Sequence, residues 1–172
     1  RSIYGYPAEY VYKITKQYSN ALMREPELFN DERAILGIAT EYNSMLDLFE
    51  AHYEQYHDNF RYHLNYVNMI FIARLFGVDR LDRAGELITR AKELSTAAPQ
   101  VFWLSALHAK YTGDDDLAMI EIEKAIALFE SVRGKFDESQ VGKFHATSLN
   151  LRKFLEETRG SKEKVYFHLK TI

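Results

Sequence analysis

The chain has no cysteine at all. That absence excludes a disulfide framework, cysteine-held zinc and thiol nucleophiles. Proline is scarce, with three in 172 residues, and glycine occurs eight times. Long helices are therefore permitted, and the few breakers act as punctuation between them. There is no excess of positive charge: the net is −3. A nucleic-acid backbone needs a basic surface, so nucleic acid is not expected among the partners. Long hydrophobic runs are missing as well. The most apolar stretch, Val67 to Val78, is interrupted by Asn68 and Arg74 and is shorter than the ~20 residues of a membrane span. No signal-peptide pattern is present. The chain begins at Arg1 rather than Met, which leads us to expect a piece cut or processed from something longer.

What is present suits a helical protein with a substantial core. Hydrophobic residues make up 47% of 172 residues, enough for one domain spanning residues 1–172. Charge is uneven along the chain. Asp31 to Asp58 holds seven acids against one base, a net −6; Arg133 to Ile172 holds nine bases against five acids, a net +4. Such runs are either solvated outer faces or a polarity that orients a partner or a second copy.

A repeat emerges from the alanines. Ala84 and Ala91 return 34 residues later as Ala118 and Ala125, and Ile88 and Leu94 return as Ile122 and Leu128. That period belongs to stacked helix–turn–helix units. The patterning predicts an all-α fold of about eight helices. The first covers Pro7–Met23, with the stripe Tyr10, Ile14, Tyr18 and Leu22. The second covers Asp31–His57. The others cover Phe60–Phe76, Asp79–Thr96, Pro99–Gly113, Asp114 to beyond Phe129, Asp137–Arg159, and Ser161 to the chain end. Three junctions share one device: Gly77-Val78-Asp79, Gly113-Asp114 and Gly160-Ser161. Glycine closes one helix in the left-handed conformation, and Asp or Ser caps the next. Turns this short force antiparallel pairs. The close crossings need small side chains, supplied by Ala84, Ala91, Ala106, Ala118 and Ala125.

With those residues in view, the stretch Pro99 to Leu128 resembles a tetratricopeptide repeat (TPR). Phe102 is similar to the family's early aromatic, Ala106 to its small crossing residue, Gly113-Asp114 to its turn, and Ala118 and Ala125 to the paired alanines of its second helix. The preceding unit keeps Ala84, Ala91 and Leu94 but has an overlong first helix. The following unit keeps Gly160, but Val165 stands where alanine should sit and Lys153 lies at the crossing. Its turn falls 47 residues after Gly113, not 34. The resemblance implies antiparallel helix pairs stacked as a TPR-like right-handed superhelix: an N-terminal pair over 1–59, then units over 60–98, 99–134 and 137–172. A narrower resemblance rests on the polar turn Asp58-Asn59, the extended helix after it, and KELSTAAPQ leading into an aromatic-rich helix. These are similar to the soluble C-terminal region of bacterial O-antigen polymerase/ligase-type membrane proteins. It implies an extracytoplasmic, periplasmic auxiliary domain near glycan or lipid-linked saccharide; without it a cytoplasmic setting is expected. The parent would be a glycosyltransferase whose reacting residues lie elsewhere.

No catalytic motif is found, and neither enzyme activity nor a cofactor is expected of this chain. Glu54-Gln55-Tyr56-His57 has a Glu-x-x-His spacing, but no second copy accompanies it. His52, His57 and His63 straddle a helix end without metal-ligand spacing, so no metal is expected. Gly113-Asp114-Asp115-Asp116 lacks the alternating acids of a calcium loop and reads as an acidic helix start. The resemblance instead implies a concave groove that binds a peptide or protein partner. On the central unit its residues would be Gln100, Trp103, Leu107, Lys110 and Tyr111. On the last they would be Thr147, Asn150, Phe154, Glu157 and Thr158, and Asn65 and Asn68 are candidates on the first. Phe102 would pack inward, so Trp103 is expected to turn outward as the binding hot spot; the alternative is that Trp103 packs beneath a neighbouring helix.

Overall fold

The computed structural model describes residues 20, 24, 25, 27, 31–135 and 138–169, which hold seven helices and no strand. The helix expected over Pro7–Met23 lies outside them, apart from Asn20. The chain divides into two compact units, Arg1–Arg80 and Leu81–Ile172. The division falls inside the stretch 60–98 read above as one helix pair.

In the first unit, α1 (Glu32–Ala51) starts where Asp31 accepts hydrogen bonds from the amides of Arg33 and Ala34. Those amides have no partner inside the helix, which is why an acceptor at this position stabilises it. One long helix was expected from Asp31 to His57; instead the chain leaves helical geometry at His52 and re-enters it as α2 (Tyr53–Tyr56). The break lets Tyr53 bring its hydroxyl to 3.0 Å from Nε2 of His63, while Tyr56 stacks on Tyr62. The buried His63 also donates from Nδ1 to the Asn59 carbonyl at 2.8 Å, because a carbonyl only accepts. Asn59 caps α3 (Phe60–Arg74), which runs antiparallel to α1: Phe49 packs on Tyr62 and Tyr66, and Tyr42 stacks on Phe76. Every residue from Tyr62 to Ala73 is buried. Burial pushes the Tyr62 phenol well above its ordinary range; its hydroxyl donates to the Phe49 carbonyl at 2.6 Å.

The second unit follows the hairpin reading through α4 (Leu81–Leu94), α5 (Pro99–Tyr111), α6 (Asp115–Val132) and α7 (Glu138–Glu157). Their ends lie within two or three residues of the expected ones. All five crossing alanines are buried. Contacts order the helices: Leu81 and Lys92 of α4 meet His108 and Ser105 of α5, an antiparallel pair. A Cβ on Gly85 would come within 3.1 Å of the His108 ring, so glycine inside α4 permits that approach. Gly113 takes φ +94°, and its neighbour Asp114 caps α6 by accepting from the Leu117 amide. Helices α6 and α7 are antiparallel as well, through Glu123–Arg152 and Phe129–His145.

The eighth expected helix does not form among the described residues. Ser161–Leu169 is not helical. Val165, Tyr166 and Phe167 are β-branched or aromatic and lose side-chain freedom in a helix. The Phe167 amide donates instead to the Tyr111 hydroxyl at 3.1 Å, and Leu169 is buried. Among the described residues the last expected unit therefore has one helix and an irregular segment.

Candidate functional site

Helices α5 and α7 lie side by side and parallel, since Pro99 and Gln100 share a pocket with Val141, Trp103 meets Ser148, and Lys110 meets Thr158. This pairing brings together most of the expected groove residues, but it covers several of them. Trp103 does not turn outward: it is 0% exposed. Its indole N–H donates to Ser148 Oγ at 2.7 Å, and its ring meets Phe144 edge-on. The reason is the next helix, because α7 lands on the face of α5 that a groove would leave open. Leu107 is fully buried too. Phe102 is only half-buried and carries the Lys92 ammonium 5.5 Å above its ring, so the two neighbouring aromatics exchange their expected roles.

Lys110 is likewise removed from water, 7% exposed. Its ammonium donates to Asp115 Oδ1 at 2.7 Å and to the Thr158 carbonyl at 2.5 Å. The second carboxylate oxygen of Asp115 accepts from the Gly160 amide at 2.8 Å, and Arg159 pairs with Asp116. Together these bonds pin the end of α7 to the start of α6. The Lys110 hydrogen bond, then the Gly160 amide, hold the Asp115 carboxyl below the usual carboxylate range. A carboxyl whose folded value is depressed contributes stability that is complete above its unfolded value, near pH 4, and is lost as pH falls through the folded value. Melting the chain beside Asp115→Asn across pH 6 to 2 should show a gap in Tm that is constant above about pH 5 and narrows below about pH 4.

The remaining expected residues are dispersed. Tyr111 and Phe154 are half-buried under Phe167, whose ring centroid lies 5.3 Å from that of Phe154. Thr147 is half-buried and Asn150 exposed. Glu157 is exposed, and the Thr158 hydroxyl donates to the Phe154 carbonyl. Asn65 and Asn68 belong to the first unit and are buried in α3; the Asn65 amide donates to the Arg61 carbonyl. Buried amides of this kind serve the interior of the unit and not an open groove.

An opening does exist, one turn further along the same helices. A half-open pocket of about 400 Å³ lies among the start of α5, the last turns of α6 and the first turns of α7. Pro99, Gln100, Leu128, Phe129, Val141 and Phe144 form much of its wall. Of the expected groove residues, Gln100 is the one it includes. Sequence reasoning missed the rest because it drew the site from first helices alone, while Leu128 and Phe129 come from a second helix. The signal was the run of small residues: Ala97, Ala98 and Ala125 also line the space and leave it unfilled. The wall is mostly apolar, with the amides of Gln100 and Gln140 at hand, which suits shape-selected binding of an apolar group.

Elsewhere, His57 lies beside Asp58 and bonds the Glu54 carbonyl. Among the described residues no group of three or more His, Asp or Glu is placed to hold a metal ion, and no helix is long and apolar enough to cross a membrane. Comparison with known proteins finds no matching protein family, no matching curated sequence and no matching solved structure.

Proposed function

We propose that the chain is a non-catalytic helical-repeat interaction module that holds a peptide or protein partner, and that its helix pairs are arranged as a TPR-like right-handed superhelix. The observation that carries this reading is the open apolar pocket of about 400 Å³ at the junction of α5, α6 and α7. Its volume lies within the range of specific ligand sites, and its lining matches an aliphatic or aromatic anchor side chain. Parallel α5 and α7, with Ala84, Ala91, Ala118 and Ala125 buried at the repeat spacing, support the stacked-pair arrangement. A saccharide fits less well, because its hydroxyls would lose water against a wall with few hydrogen-bonding groups.

Selection of a displayed peptide library on the purified chain tests the reading. Enriched peptides are expected to carry a large apolar residue. They should bind at least about tenfold more weakly to Ala97→Trp, since ~1.4 kcal/mol of lost anchoring is tenfold in affinity. Ala97 is exposed at the pocket wall, so the indole would fill the opening without entering the core. Absence of enrichment, or equal binding to both proteins, overturns the proposal.

A further inference from the structure

We infer that the pocket at the junction of α5, α6 and α7 is shaped for an indole, so that the partner's anchor is a tryptophan side chain. The inference rests on the interaction-module reading and specifies the chemistry of that anchor. Size, ring surface and free neutral amides each bear on it.

A cavity of about 150 Å³ with aliphatic and phenyl walls already takes benzene. This pocket holds about 400 Å³. A single aliphatic or phenyl anchor would leave much of the wall without contact, and every unmade contact is lost dispersion energy. A group of two fused rings covers more of the wall and removes more apolar surface from water.

The wall also offers ring surface. Phe129 and Phe144 both line the space. His145, outside the pocket, stacks on Phe129 at 3.8 Å with an interplanar angle of 18°. That covers one face of Phe129 and leaves the other face and the ring edge for an occupant. Phe144 in turn meets the Trp103 ring edge-on at 5.7 Å. Aromatic groups pack offset or edge-on against such surfaces and gain beyond the area they bury.

The polar groups at the wall are neutral. Gln100, at the start of α5, and Gln140, at the start of α7, make no side-chain hydrogen bond among the described residues. Ser148 is already engaged, accepting from Trp103 and donating to the Phe144 carbonyl. The two glutamine amides are therefore the groups left to receive a ligand, and an amide oxygen accepts an indole N–H. Among the described residues no charged side chain lines the pocket. A carboxylate or ammonium anchor would lose its water there with no counter-charge in return.

Side-chain analogues in solution test the assignment on the full chain. By calorimetry skatole, the analogue of tryptophan, should bind about tenfold more tightly than toluene, because its second ring buries more apolar area. The tyrosine analogue p-cresol should also rank below skatole. The N-methyl derivative of skatole cannot donate and should bind at least about threefold more weakly. Gln100→Leu combined with Gln140→Leu should erase that last difference while the N-methyl derivative still binds. Trp103 is the sole tryptophan and bonds to Ser148 in the wall, so the one indole N–H signal in the NMR spectrum of an isotope-labelled chain should shift as skatole enters. No shift at saturation, skatole no tighter than toluene or p-cresol, or an N-methyl derivative as tight as skatole overturns the inference. The displayed library separates the two readings. If skatole binds as described but no peptide is enriched, the pocket serves free indolic molecules and the partner reading alone falls. If the enriched peptides bind through the pocket with leucine or phenylalanine in place of tryptophan, the partner reading stands and the indole falls.

Discussion

Trp103→Ala is expected to destabilise the second unit by about 3–5 kcal/mol, because it removes a fully buried indole and leaves a cavity. The loss has two parts. The ring no longer fills the space between α5 and α7, and Ser148 Oγ loses the N–H it accepts. Ser148 still donates to the Phe144 carbonyl, so most of the cost is packing. Trp103→Phe keeps much of the apolar surface and should cost distinctly less, about 1–2 kcal/mol. Urea titration of the three proteins checks the ranking. Because Trp103 is the sole tryptophan, its emission reports the same unit: it should be blue-shifted when folded and move red with the transition. A Trp103→Ala protein as stable as the parent would mean that the indole faces water.

Lys110→Met ranks second, at about 2–3 kcal/mol. Removing one partner of a buried pair costs about 3–5 kcal/mol when the other charge is stranded without water. Here the Asp115 side chain keeps 27% of its exposure and recovers some hydration, which lowers the figure. The Thr158 carbonyl also loses its ammonium donor at the end of α7. A double-mutant cycle with Asp115→Asn measures the coupling. The pair of substitutions should cost clearly less than the sum of the two single ones, since no unpartnered carboxylate is left. Strict additivity would show that the ammonium and the carboxylate do not interact.

These two residues mark how far the sequence could be read. The Gly113-Asp114 junction was legible because it is local: Asp114 caps α6 from its own side chain, and Gly113 carries the turn wherever the helices go; the break at His52 was not, since it serves contacts with α3. The buried alanines were legible from their 34-residue recurrence, since a close crossing excludes anything larger. The pocket was not legible, because it is the space left between three helices and no one of them encodes its shape. The segment Ser161–Leu169, read as part of a helix, carried its own warning in Val165-Tyr166-Phe167.

By itself, then, the amino-acid sequence determined the helical class and the small residues where helices cross. Each follows from backbone conformational preference or from volume within one or two turns of chain. Only the tertiary structure decided which side of α5 is inside. Phe102 and Trp103 are adjacent, about 100° apart around a helix that is apolar on most sides, and local preference does not distinguish them. Where α7 comes to rest sets the choice, sealing Trp103 and Lys110 away from water, leaving Phe102 beneath Lys92, and placing the opening beside Gln100.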